Sequence, residues 1–200
     1  MGISFLIIQT VVNSIDVVAS AGVGVAEKVC VFLMLVPSAY MQSMSAFVAQ
    51  NMGAQKPARA KKALGYGIIT ALTVGLVMAY FSFWQGDVLS AIFSKEADVV
   101  TASHDYLKAY AIDCILTPFL FCFMGYYNGC GKTLFVMTQG MIGAFCVRVP
   151  MVFLMSHFAG ASLFHIGLST PASTVVQIIL CLFMFAHLNK KQKEALSFPL

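Results

Sequence analysis

Apolar residues run along this chain in six long stretches, at about residues 3–22, 29–51, 64–86, 103–128, 132–156 and 161–187, and most of the charged residues fall in the short gaps between them. Most of these stretches exceed the roughly 20 residues that a helix needs to cross a bilayer core, and all are far longer than the roughly ten residues of a membrane barrel strand. In hydrocarbon every backbone polar group must be satisfied within the protein, so continuous stretches of this length predict membrane-spanning helices. The surplus length predicts tilt or kinks. Prolines lie inside the stretches at Pro37, Pro118, Pro150 and Pro171. Each removes a backbone hydrogen bond and favours a kink, although membrane helices also tolerate proline without any special role.

Composition agrees with this pattern. Hydrophobic residues make up 60% of the 200-residue chain and charged residues 10%, with a mean hydropathy of +0.85. A soluble domain of this size needs a more polar surface. The sequence therefore predicts an all-α integral membrane protein.

The gaps between the stretches carry the orientation. Lys56, Arg59, Lys61 and Lys62 follow the second stretch, Lys132 follows the fourth, and Lys190, Lys191 and Lys193 follow the sixth, with Glu194 as the one acid on that side. The other side holds Lys28, Lys95 and Lys108 against Glu27, Asp87, Glu96, Asp98 and Asp105. The basic side is expected to be cytoplasmic, which puts both ends of the segment inside. The net charge of +4 follows from this asymmetry and gives no reason to expect a nucleic-acid partner. The first stretch begins at Met1 without a flanking Lys or Arg and carries Gln9, Asn13 and Asp16. It lacks the positive n-region and small-residue cleavage site of a signal peptide, and Leu6 stands where a myristoylation signal needs Ser or Thr. The chain reads as starting part-way into a helix.

Six cysteines, Cys30, Cys114, Cys122, Cys130, Cys146 and Cys181, sit in or at the ends of the stretches without a CxxC pair. They read as small packing residues rather than as disulfides or metal ligands, and no cofactor is expected. The segment Gly129-Cys130-Gly131-Lys132-Thr133 superficially resembles a phosphate-binding loop, but Tyr126 occupies the position of the first glycine, and the segment reads as a tight turn. Gly125 and Gly129 have the spacing of a close helix contact.

Ionisable groups deep in a span usually have a function. Asp113 lies ten residues from the outer end of the fourth stretch, and Arg148 lies eight residues from the outer end of the fifth. At 1.5 Å per residue these are depths of roughly 15 and 12 Å, so the two residues can meet. They read either as a buried pair that fixes helix register, or as groups on a shared aqueous cavity in which Asp113 responds to protons or cations. Gln9, Asn13, Gln42, Thr117, Gln139 and Gln177 are uncharged polar residues at membrane depth, suited to joining helices or touching a solute. Tyr40 lies deeper than an interfacial belt and is a candidate for a cation-facing wall.

The stretch PSAYMQSMSAFVAQNMGAQKPARAKKA, Pro37 to Ala63, strongly resembles the multidrug and toxic compound extrusion (MATE) family, in which a VAQN-GA…RA segment joins two spans of a lobe. VVNSIDVVASAGVGVAEKV, MGYYNGCGKTLFVMTQG and FCVRVP agree with it in order, so the likeness covers essentially the whole chain. The resemblance implies one six-helix lobe, helices seven to twelve, of a twelve-helix transporter, with its first helix incomplete. It further implies export of organic cations and other amphipathic compounds in exchange for H⁺ or Na⁺, a substrate cavity between two lobes, and an N-terminal lobe as partner. The cavity-wall candidates are Asp113, Tyr40, Gln42 and Gln139. Some members carry a glutamate in the seventh helix, at a position that falls at or before Met1. Some carry an aspartate in the tenth, which corresponds to a place near Thr117, one turn from Asp113. A lipid-linked oligosaccharide flippase of the same superfamily is the first alternative, but a pyrophosphate would call for several basic residues in the cavity and only Arg148 qualifies. A non-transporting half-length membrane protein is the second. The expected location is the plasma membrane, with the chain embedded in lipid.

Overall fold

The computed structural model describes residues 2–13, 16–157 and 162–197, with side chains over 6–13, 16–156 and 162–190. Met1 and the side chains of Lys191, Lys193 and Glu194 lie outside the described residues. The helices are α1 (Gly2–Asn13), α2 (Val17–Leu33), α3 (Leu35–Gly53), α4 (Pro57–Trp84), α5 (Gly86–Ala91), α6 (Ala97–Gly129), α7 (Thr133–Met141), α8 (Val149–His157), α9 (Leu163–Gly167) and α10 (Ser169–Ser197), with a π-helical segment, Ile142–Arg148, joining α7 to α8. No strand occurs among the described residues. Five segments are long and apolar enough to cross a bilayer: Val17–Gly53, Pro57–Trp84, Ala97–Gly129, Thr133–Ser156 and Leu163–Lys190. The twelve residues of α1 form the described part of the first stretch.

The boundary between the first two stretches differs from the sequence expectation. The first helix does not continue to residue 22; its described part ends at Asn13, and Asp16 is no longer helical. Asp16 sits in an extended conformation, and its carboxylate accepts a hydrogen bond from the Ala19 amide at 3.2 Å, capping the start of α2. An aspartate that satisfies an unpaired amide of the first turn is a strong helix start, and hydropathy alone does not register it. Glu27 and Lys28, which the charge pattern assigns to an outer gap, therefore lie inside α2. Together α2 and α3 span 37 residues, about 55 Å of helix against a core of about 30 Å, so two charged residues fit in this length without a loop. Gln9 and Asn13 join helices: the Gln9 amide donates to the Ser20 hydroxyl and carbonyl at 2.9 Å, and the Ser20 hydroxyl donates to Asn13.

The four prolines act in different ways. Pro37 and Pro171 lie in the first turns of α3 and α10, where a missing amide costs little, and the break at Met34 comes three residues before Pro37. Pro150 lies just after the π segment. Pro118 is inside α6 and cannot donate to the carbonyl of Cys114 four residues earlier.

Helix α6 is the central element. It packs against α2, α3, α4 and α10 and is by far the most buried of the spans. Water supplies no driving force between helices in lipid, so close backbone approach and van der Waals contact hold such a bundle together. The glycines mark these contacts. A Cβ on Gly75 of α4 would stand 2.7 Å from both the Cys114 carbonyl oxygen and the Pro118 ring. The close approach of α4 thus falls where Pro118 leaves the Cys114 carbonyl without its helix donor. Further along, α3 crosses α6 at Gly125 and Gly129, where a Cβ would stand 2.5 Å from the Met41 carbonyl and 2.7 Å from that of Ser45. Gly131, at φ +72°, closes the turn to α7, and the Lys132 amide reaches back to the Tyr127 carbonyl at 2.8 Å.

Two apolar clusters lie along α6. One gathers Ile8, Val12, Val23, Tyr106, Val152 and Ile166, and the other Val48, Leu64, Phe121, Phe123, Tyr127 and Cys181. In the second, the Tyr127 hydroxyl donates to the Cys181 carbonyl of α10 at 2.5 Å. Tyr127→Phe should lower stability by about 0.5–2 kcal/mol, the range for one interhelical hydrogen bond in a membrane bundle, read as a shift of the thermal midpoint in detergent. Between the clusters α6 carries Asp113 and Thr117, both buried.

Candidate functional site

Three side-chain rows converge between the two apolar clusters. Tyr110, Asp113 and Thr117 lie on one face of α6, and Thr170, Thr174 and Gln177 on one face of α10, each row following the spacing that repeats a helix face. The third row runs down α2 and α3 through Glu27, Val31, Met34 and Ser38. With Arg148 from the end of the π segment they line a cavity of about 620 Å³, within the usual range for small-molecule sites. The remaining wall is apolar, including Leu6, Leu120 and Phe121.

Asp113 is only 3% exposed, and both its oxygens are held. Thr117 donates to Oδ2 at 3.0 Å from one turn further along α6, and Thr174 donates to Oδ1 at 2.6 Å from α10. The Thr174 hydroxyl also lies 3.2 Å from the Thr170 carbonyl. A hydroxyl has one proton to give and two lone pairs to receive with. Thr174 can therefore donate to an ionised Asp113, or turn its proton to the Thr170 carbonyl and accept one from a neutral Asp113. The site has a hydrogen-bonding arrangement for either protonation state without moving a helix.

The π segment places Arg148. A π turn widens the helix by one residue and is frequent at functional sites. Here the Val149 amide reaches the Ala144 carbonyl, five residues back, and Arg148 is buried on the cavity wall. Ser173 of α10 donates to the Gly143 carbonyl at 2.7 Å and accepts from the Gln177 amide at 3.2 Å, so α10 is bonded to the first turn of the π segment. Ser173→Ala should cost about 0.5–2 kcal/mol and loosen this joint, read as faster hydrogen exchange confined to residues 142–148.

The structure brings Asp113 and Arg148 to one cavity. The other sequence candidates lie elsewhere. Gln42 is exposed on α3, one turn beyond Ser38 on the same helix face, so it continues the third row past the cavity. Gln139 is 1% exposed in α7, and its side-chain amide has no hydrogen-bond partner among the described residues. Tyr40 lines a separate groove between α3 and α4. Glu27, Thr170 and Thr174 are cavity residues that the sequence reading did not single out. Glu27 was hidden by its assignment to a gap. The threonines carried a signal in the 170/174/177 spacing, but threonine is too common in membrane helices for that spacing to be read alone.

Apolar helices of membrane-crossing length, packed through glycine contacts around a buried central helix, define a multi-pass integral membrane protein. The MatE family model matches residues 1–154, and the chain belongs to that family, which is one of transporters and not of enzymes. Among curated proteins it is similar to the probable multidrug resistance protein YoeA of Bacillus subtilis, with 20% identity over 193 residues, covering 96% of this chain and 42% of that protein. Among solved structures it shares its fold with a MOP superfamily transporter from Pyrococcus furiosus, described as having a binding pocket of reverse polarity that suggests a different function. That match has a TM-score of 0.83 at 16% identity and covers 92% of this chain and 40% of that one. An inward-facing multidrug resistance MATE family transporter matches with a TM-score of 0.75 at 14% identity, covering 88% of this chain and 43% of that one. The chain thus spans about two fifths of the length of the relatives it matches.

Proposed function

We propose that this chain is the C-terminal six-helix lobe of a twelve-helix secondary transporter that exports organic cations in exchange for H⁺ or Na⁺, and that Asp113 is the coupling carboxylate of this lobe. The observation that carries the reading is the cavity. It sets two carboxylates, Asp113 and Glu27, against one guanidinium, Arg148, within an otherwise apolar wall. An amphipathic cation finds both an opposite charge and apolar surface there, and the Thr174 switch lets Asp113 give up or take a proton as the guest leaves or enters. Arg148 holds the local charge close to balance when the cavity is empty, and Gln42 extends the polar row towards the basic side. Tyr40 and Gln139, which the sequence offered for the cavity wall, lie away from this cavity and are not part of the proposed site. The multidrug resistance relatives support the substrate class. The basic helix ends support a plasma-membrane orientation with both ends of the segment cytoplasmic. A lipid-linked pyrophosphate fits poorly, because only one cation faces two anions.

The test is efflux of a cationic dye from cells without their own drug exporters, with this chain produced alongside the matching N-terminal lobe. Efflux that follows an imposed proton or sodium gradient is the expected result. No gradient-dependent efflux from the assembled pair would favour a non-transporting membrane protein instead.

A further inference from the structure

A second concavity lies away from the Asp113 cavity, between α3 and α4. It has a volume of about 520 Å³. Tyr40, Met44 and Phe47 line it from α3 and Tyr66 from α4, and Arg59 and Lys62 from the first turns of α4 stand at its end. The spacing accounts for it. Residues 40, 44 and 47 repeat along one face of α3, and 59, 62 and 66 along one face of α4. Where the helices meet at the Gly53–Pro57 turn, the two cationic side chains come to the mouth of an aromatic slot. Both cations are exposed, and neither forms a salt bridge among the described residues. The nearest charges along the chain, Lys56 and Lys61, are also positive, and the segment from Lys56 to Lys62 contains no acid. Tyr66 is 71% exposed and Phe47 42%, so the slot opens outward rather than into the bundle.

From Phe47 to Gly53 is six residues, and from Tyr40 thirteen, so the slot reaches roughly 10–20 Å from the helix ends, about the depth of one leaflet of a 30 Å core. With the turn between α3 and α4 at a headgroup layer, Arg59 and Lys62 stand at phosphate depth and the aromatic walls at acyl depth. We propose that this groove is a binding site for an anionic phospholipid, its phosphate held by Arg59 and Lys62 and one acyl chain lying along Tyr40, Phe47 and Tyr66. Arginine matches phosphate through its planar fork, lysine adds a mobile point charge, and basic pockets between helices on the charged side of a membrane are suited to such headgroups. An organic cation is repelled by the same pair, which separates this groove from the Asp113 cavity. The inference does not depend on the transport reading. It needs only that the turn between α3 and α4 lies at a headgroup layer.

The chain is extracted in mild detergent with whatever polypeptide accompanies it, and titrated with phosphatidylglycerol or phosphatidylcholine of the same acyl composition while bound lipid is counted by native mass spectrometry. Phosphatidylglycerol should bind about twenty-five-fold more tightly, roughly fivefold for each of the two cations at the site. Arg59→Gln with Lys62→Gln should bring the two lipids level, and the charge-conserving exchange Arg59→Lys with Lys62→Arg should keep most of the preference. Lys56 and Lys61 remain in both, so the basic turn that sets orientation is retained. Tyr66→Ala should weaken both lipids while leaving their ratio. Equal binding of the two lipids by the unaltered chain overturns the proposal, as does a preference that survives the double glutamine exchange. So does cross-linking of two copies through Tyr66→Cys in native membranes, which would assign the groove to a second copy of the chain.

Discussion

Asp113→Asn should reduce gradient-driven efflux to the level of cells without the transporter, while the protein still reaches the membrane in normal amount. Asparagine keeps the size of the side chain and can still accept from Thr117 or Thr174, so the packing between α6 and α10 survives. What it loses is the ability to exist in two charge states. Thr174→Val is the informative companion. It leaves the carboxylate but removes the hydroxyl that bonds it in either state, and it should slow efflux by about tenfold to a hundredfold, the cost of one hydrogen bond to a charged group. Thr117→Val should have a smaller effect, because Thr174 still serves the carboxylate. The measurement is initial efflux rate against the imposed pH or sodium gradient. If the Asn variant keeps its gradient dependence, Asp113 is a register-fixing residue and coupling lies elsewhere. In that case Arg148→Gln should destabilise the lobe, because it would strand a buried carboxylate.

Gly75→Leu and Gly125→Leu should each fail to give a folded protein at growth temperature, or lower the thermal midpoint sharply. The atoms in the way are main-chain atoms, a proline ring and the Met44 Cβ, none of which can rotate aside. Overpacking a well-packed site usually costs about 1–3 kcal/mol and sometimes more, and leucine against rigid main chain should exceed that range. Alanine at the same positions should show the lower end of that range. The control is Gly65→Ala. A Cβ there meets nothing within 4 Å, so this change should leave the midpoint unaltered or raise it slightly. Fluorescence-detected size exclusion after heating distinguishes the three. If Gly75→Leu is as stable as the unaltered chain, α4 does not approach Pro118 as closely as described. The contrast between two glycines in one helix, ten residues apart, isolates packing from helix propensity.

The pattern of apolar stretches and basic gaps carried the class of the protein. Lipid demands long uninterrupted helices and membranes sort positive charge to one side, and both demands act on composition over tens of residues. The ordered motifs from Pro37 to Ala63 and around Gly129 were enough to place the family. Two single residues, Asp113 and Arg148, stood out because a charge deep in a span is costly and therefore rare.

Local chemistry decided what the pattern could not. One carboxylate at Asp16, bonded to one amide, moves a helix boundary and turns Glu27 from a loop residue into a cavity residue. Hydropathy averages over a window and cannot see a cap. The π segment that holds Arg148 depends on the backbone register and on Ser173 from a helix that follows thirty residues later, which no local spacing encodes. The same holds for the bond from Thr174 to Asp113, whose partners are 61 residues apart. Tyr40, Gln42 and Gln139 resembled one another in the sequence as polar residues at membrane depth. The packing sent them to a groove, an exposed helix face and a buried interior, because the direction of a side chain is set by the rotation of its helix against its neighbours. From the sequence alone came a helical membrane lobe of a transporter family with one improbable carboxylate. The tertiary structure alone assigned that carboxylate its partners and cavity, because contacts between distant helices depend on which faces the close glycine contacts bring together.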